Sequence, residues 1–119
     1  MTSERTQICS LFLDALAALH LTPYESCHAR CDEVARYVAE RAPGICRIGK
    51  VDSYFVRHFF VAANGLYFDG QHVDGVKRLK DLFDEPRFSL RADFSIGQVK
   101  YADPHQVELG LQEFFARSA

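Results

Sequence analysis

His58-Phe-Phe-Val-Ala-Ala-Asn64-Gly65-Leu-Tyr-Phe-Asp69 decides the fold of this chain, because the stretch carries its own turn. Asn-Gly between two apolar runs is the strongest short hairpin signal a sequence offers, since both residues tolerate the positive φ of a two-residue type I′ loop. With that loop, Ala63 faces Leu66, Ala62 faces Tyr67, Phe60 faces Asp69 and His58 faces Gln71. Cross-strand partners project to one face and side chains alternate with period two. His58, Phe60 and Asp69 therefore share a face. His58 and Asp69 are diagonal neighbours, about 7–8 Å apart at the backbone and within reach through their side chains. The rival pairings fail this register: His72 would face Arg57 and Asp74 would face Phe55, both on the other side of the sheet.

Upstream of the hairpin the period is helical. Ile8, Leu11, Phe12, Ala15 and Leu19 recur at i, i+3, i+4, i+7 and i+11, which predicts a helix over 4–20. Thr22-Pro23-Tyr24-Glu25 combines a Thr N-cap, Pro at the first helical position and Glu at the third. The helix it starts is predicted to run to about Ala42, where Pro43-Gly44 stops it, with an apolar stripe of Cys27, Cys31, Val34, Ala35, Val38 and Ala42. Ile45 to Val51 reads as a short strand. Tyr54 to Ala63 reads as a central strand, apolar on both sides except at Arg57 and His58, and Leu66 to Gly70 as its hairpin partner. Val76 to Phe83 predicts a short helix ended by Pro86, and Phe88 to Tyr101 one or two strands. Asp103-Pro104-His105-Gln106 caps a last helix through about Phe115. The class is α+β: N-terminal helices packed on an antiparallel sheet, with a short crossover helix and a C-terminal helix, in one domain spanning 1–119.

Bulk properties narrow the function classes. A chain of 119 residues has room for one core. A net charge of −2 and a pI near 6.2 argue against the basic footprint of a nucleic-acid binder. No apolar run reaches membrane-spanning length, and Met-Thr-Ser-Glu-Arg-Thr at the start is a helix-cap pattern rather than the basic opening of a signal peptide. A cytoplasmic protein with no membrane partner is the expectation. In that compartment Cys9, Cys27, Cys31 and Cys46 are expected as free thiols, or one catalytic thiol among them, rather than a disulfide framework.

The chemistry-bearing residues are Cys31, His58 and Asp69. Cys31 opens the amphipathic run Cys31-Asp-Glu-Val-Ala-Arg-Tyr-Val-Ala-Glu-Arg41. A thiol nucleophile needs its thiolate, which a nearby base or a helix N-terminus favours, and the base needs a third group to hold its tautomer. If the helix face with Cys31 packs on the sheet face with His58, the three meet. Each residue also has a plain structural reading: a buried thiol on an apolar stripe, a core histidine bonded to a carbonyl, an acid ending a strand before Gly70. In a continuous helix Cys31 would lie in the third turn, where little dipole remains. A break around Cys27-His28-Ala29-Arg30 would give it a fresh N-terminus. Cys27, one turn away on the same stripe, is the competing nucleophile. Cys27, His28, Cys31, Cys46, His58 and His72 are potential zinc ligands. No CxxC pair occurs, however, and Cys27-x-x-x-Cys31 within a helix has no matching second pair, so no metal or organic cofactor is expected. Lys77-Arg78 with Lys80 reads as a solvated face, and Phe114-Phe115 as core.

The segment from Cys31 to Asp69 resembles the small papain-like cysteine hydrolases of bacteria and phages, with their transglutaminase-like relatives. A cysteine leading an Ala/Val-rich helix and a strand that begins with His58 and closes on Tyr-Phe-Asp69-Gly carry the resemblance. It implies a papain-like core, a Cys-His-Asp triad and acyl transfer through a thioester. Hydrolysis of a peptide, isopeptide or other amide in a peptide or protein substrate is the usual outcome, and transglutaminase-like relatives pass the acyl group to an amine instead. The sequence departs from papain six residues before the cysteine, where an oxyanion-binding glutamine is replaced by Glu25. A carboxylate cannot donate to an oxyanion, so backbone N–H groups or another side chain would be needed. The alternative is a non-catalytic protein-binding module on a degenerate papain-like fold, with five tyrosines and ten phenylalanines to supply both a core and an exposed patch.

Overall fold

The computed structural model describes residues 3–28, 30–52, 57–83 and 98–102. Three helices, α1 (Glu4–Ala18), α2 (Pro23–His28) and α3 (Cys31–Arg41), precede strands β1 (Arg47–Asp52), β2 (Arg57–Ala63), β3 (Leu66–Asp69) and β4 (His72–Val76). A 3₁₀ turn (Leu79–Phe83) and strand β5 (Gln98–Ala102) follow. The strands form one antiparallel sheet in the order β4-β3-β2-β1-β5, with β2 central as its apolar sequence predicts. β4 and β5 lie at opposite edges. The last predicted helix, and the part of Phe88–Tyr101 before Gln98, lie outside the described residues. Among the described residues no helix is long and apolar enough to cross a membrane.

The helix starts follow their local signals. Ser3 caps α1 by accepting from the Thr6 N–H at 3.1 Å. At α2 the capping box forms in both directions: the Thr22 N–H donates to Glu25 Oε1 at 3.0 Å and the Glu25 N–H to Thr22 Oγ1 at 3.2 Å. The predicted helix over 23–42 does not continue. Arg30 leaves helical geometry at φ −132°, ψ 25°, and α3 restarts at Cys31 with no side-chain cap.

Hairpin register agrees with the sequence. Ala63 pairs with Leu66, Ala62 with Tyr67 and Val61 with Phe68, and the loop residues Asn64 and Gly65 hold φ 50° and 74°. The sheet then turns sooner than expected. Gly70 and Gln71 reverse the chain into β4, a strand the sequence reading did not include, which sets His72 opposite Asp69. The predicted helix from Val76 to Phe83 shrinks to the 3₁₀ turn, because Val76 is spent on β4.

Alternation along β2 builds two cores. Phe59, Val61 and Ala63 face the helices and pack with Ile8, Phe12, Val34, Ala35, Val38, Ile48 and Phe68. Phe60 faces the other way, into a smaller core with Val51, Leu82 and Phe83. Phe12 stacks on Phe68 with centroids 6.3 Å apart, fastening α1 to β3. Arg5 and the Cys9 thiol both bond to Asp74 and hold α1 over the edge strand β4, which shields an otherwise open edge.

Gly70 marks the tightest approach of a helix to the sheet. A Cβ built there would meet Ser26 Oγ at 1.8 Å and Ser26 Cβ at 2.7 Å, and Ser26 is fully buried. Gly70→Ala is expected to push α2 off the sheet at a cost of about 1–3 kcal/mol. Urea unfolding checks this, and an unchanged midpoint would refute the close packing.

Candidate active site

Asp69 ends β3 with its side chain 3% exposed. His58 Nε2 lies 2.9 Å from Asp69 Oδ2, and His72 Nδ1 lies 2.8 Å from Asp69 Oδ1. The backbone N–H of Gln71 donates to Oδ1 at 3.0 Å. Burial opposes the charge on Asp69, but the hydrogen bonds and charges of the two imidazoles outweigh it and hold the carboxyl down at about 2. The His58 ring also packs edge-on against Phe83, centroids 5.5 Å apart. Burial works against its charge too. The bonds to Asp69 and to the Cys31 thiol prevail and raise its pKa to about 9.

His58 pairs with Val51 across β1 and β2 and so faces the smaller core, away from the helices. The expectation that Cys31 and His58 would meet face to face is corrected. They meet at the end of the sheet. The β2–β3 ladder stops at Val61 and Phe68, and the chain turns at Gly70. His58 therefore stands past the end of β3, where α2 and the start of α3 close over the margin. There the Cys31 thiol helps to hold the charge on the His58 ring. Cys27 Sγ, a His58 ring nitrogen and an Asp69 carboxylate oxygen lie within 4.8 Å of one another, a cluster consistent with a Cys-His-Asp triad.

Two thiols thus address one imidazole from different settings. Cys27 is buried, and its pKa is pushed up to about 12, by burial first and by the Asp69 charge second. Cys31 is half-buried at the first position of α3. Cys46 is buried, donates to the Ala42 carbonyl oxygen at 3.5 Å and serves packing, while Cys9 is committed to Asp74. No disulfide links the four. Glu25, at papain's glutamine position, is occupied by the capping box, and its bonds to Thr22 hold its carboxyl below the usual range.

Extended past Gly70, the hairpin register sets His72 opposite Arg57 on the other face, and the structure corrects this. The two-residue turn instead delivers it to Asp69. The Gly after Asp69 was the available signal, a turn residue between two short β-rich runs. A cavity of about 640 Å³ lined by Arg47, Asn64, Tyr67 and Tyr101 opens at the other end of the hairpin and includes none of the clustered residues. It lacks the base and acid that the cluster brings together.

No family model matches the sequence, and no curated protein or solved structure matches it significantly.

Asp69 is a structural anchor of this end of the sheet. Asp69→Asn leaves the buried His58 and the half-buried His72 without a shared anion and is expected to cost about 3–5 kcal/mol near pH 5.5, the range for breaking a buried pair. The pH dependence follows in sign. The Asp69 contribution is present above its ordinary 3.8 and lost as pH falls through about 2. The His58 contribution is present below its ordinary 6.5 and lost as pH rises through about 9. Stability from this pair is thus fullest between those ordinary values and declines on the alkaline side. Denaturant unfolding of wild type and Asp69→Asn across pH checks both points: the alkaline slope should shrink in the variant.

Proposed function

We propose that this protein is a thiol-dependent acyl-transfer enzyme of papain-like type that hydrolyses a peptide, isopeptide or related amide bond in a cytoplasmic peptide or protein substrate. Cys31 is the nucleophile, His58 the general base and acid, and Asp69 the group that orients His58. The observation that carries this reading is the His58 ring, held by Asp69 at 2.9 Å in a cluster with a thiol within 4.8 Å, beside which Cys31 opens α3. Cys31 is preferred over Cys27 because a nucleophile needs a reachable thiolate. Cys27 is buried and held neutral.

In the first half-reaction, with the Cys31 proton on His58, the sulfur bonds to the carbonyl carbon. The uncapped first-turn N–H groups of α3 are placed to receive the developing oxyanion, a task Glu25 cannot perform. His58 then protonates the leaving amine and the C–N bond breaks, leaving a thioester. In the second, His58 takes a proton from water, hydroxide adds to the thioester carbon, and the C–S bond breaks to restore Cys31. Asp69 keeps the imidazole in one orientation throughout.

Alkylation by iodoacetamide, read at each cysteine by mass spectrometry between about pH 5 and 9, tests this, because an ordinary thiol follows a pKa near 8.5. Cys31 is expected to label fastest. At pH 6.5 it should label faster than Cys9. His58→Ala should remove most of that advantage. Fast labelling at Cys27 would move the nucleophile by one turn. Equal slow labelling at all four would reject the enzyme in favour of a binding module.

A further inference from the structure

A triad requires one thiol, and this site has two. The second, Cys27, is buried within 4.8 Å of the same imidazole and carboxylate that serve Cys31, and acyl transfer gives it no task. Cys27 and Cys31 are three residues apart in between, inside the range of about two to four that paired zinc thiolates use. Within one continuous helix, with no second donor pair, that spacing carries little weight. The structure changes both conditions. The helix breaks after His28 and restarts at Cys31, so the two thiols flank a corner. The second donor pair comes from the hairpin, as His58 and Asp69.

We propose that Cys27, Cys31, His58 and Asp69 form a binding site for a thiophilic divalent cation of the zinc class, which occupies the cluster in place of its protons. Two sulfurs, one imidazole nitrogen and one carboxylate oxygen are a tetrahedral donor set for such an ion. Metal–ligand bonds of about 2.0–2.3 Å set neighbouring donors about 3.3–3.8 Å apart in a tetrahedron. Three donors already lie within 4.8 Å of one another, and the fourth, Cys31, lines one small cavity with Asp69. Closure requires the Cys31 side chain to move in on the other three. Binding releases the two thiol protons to solvent and forms two metal–sulfur bonds. It removes Cys31 as a nucleophile and His58 as a base together, so the cation would act as a reversible off-switch. The site itself does not depend on the acyl-transfer reading; only this consequence does.

Titration of the reduced, metal-free full chain with Co²⁺ under anaerobic conditions tests the site. Saturation is expected at one equivalent, with sulfur-to-cobalt charge-transfer absorption, the visible bands of tetrahedral cobalt, and bleaching of both by one equivalent of Zn²⁺. Cys27→Ser and Cys31→Ser should each lower Zn²⁺ affinity, read against a chromophoric chelator, by more than the tenfold or so that losing even an outer partner of a metal ligand brings. Absence of charge-transfer absorption in the wild type, or its persistence in the double variant, would overturn the proposal. A readout that needs no variant stands beside these. Zn²⁺ should protect Cys27 and Cys31 from alkylation while Cys9 stays reactive, and unprotected labelling of the pair would overturn it equally. A chain that takes up one cation while its free thiols prove ordinary would retain this site and discard the enzyme.

Discussion

A carboxylate buried between two imidazoles is the constraint on which this end of the molecule depends. An ionised Asp69 at 3% exposure is tolerable only because every approach to it is a donor: His58 from β2, His72 from β4 and the Gln71 N–H from the turn between. Among the described residues no buried side-chain polar atom lacks a partner, so the cluster is a fully satisfied network. Three consecutive strands converge on one anion, which fixes how β3 ends, how tightly Gly70 turns and where α2 rests. Buried ion pairs are weak devices for stability, since apolar packing often serves as well.

The geometry at the sheet's end follows from that anchor. Asp69 holds His58 past the last pair of the β2–β3 ladder, and two thiols enter from the corner between α2 and α3. Burial then divides their roles. Cys27 lies inside, with its ionised form disfavoured by the apolar surroundings and by Asp69, while Cys31 lies at the margin on a helix start. Two groups of one chemical type, separated by environment, are a pattern by which active sites assign different tasks. The pair also makes the site attractive to a soft cation, which a single thiol would be less able to hold.

What the sequence made legible was local and self-contained. Asn64-Gly65 fixed the register that puts His58 and Asp69 on one face, because turn geometry determines pairing without help from the rest of the chain. Thr22 and Glu25 announced their capping box for the same reason. The errors arose where tertiary context decides. Ala29 and Arg30 carry no Gly or Pro to mark the helix break, so the amphipathic stripe read as continuous. The run after Gly70 is too short to show a clear period, which hid β4 and with it His72. The side of the sheet that the helices cover is chosen by packing of both faces, and both faces of β2 are apolar, so alternation could not tell which face would meet Cys31.

That last point bears on how a thiol, a base and an acid come together on a sheet. Cys31 packs at the edge of the helix-side core that holds Val34 and Ala35, and a thiol sunk fully into that core would be inert. Meeting at the sheet's end leaves Cys31 half-buried while His58 and Asp69 stay enclosed. Under the proposed function the nucleophile would then be reachable and its partners dry, the division of environment that thiolate chemistry needs. The position of His58, on the side facing away from the helices, is compatible with that reading, since one imidazole would be anchored from within the core and used from outside it.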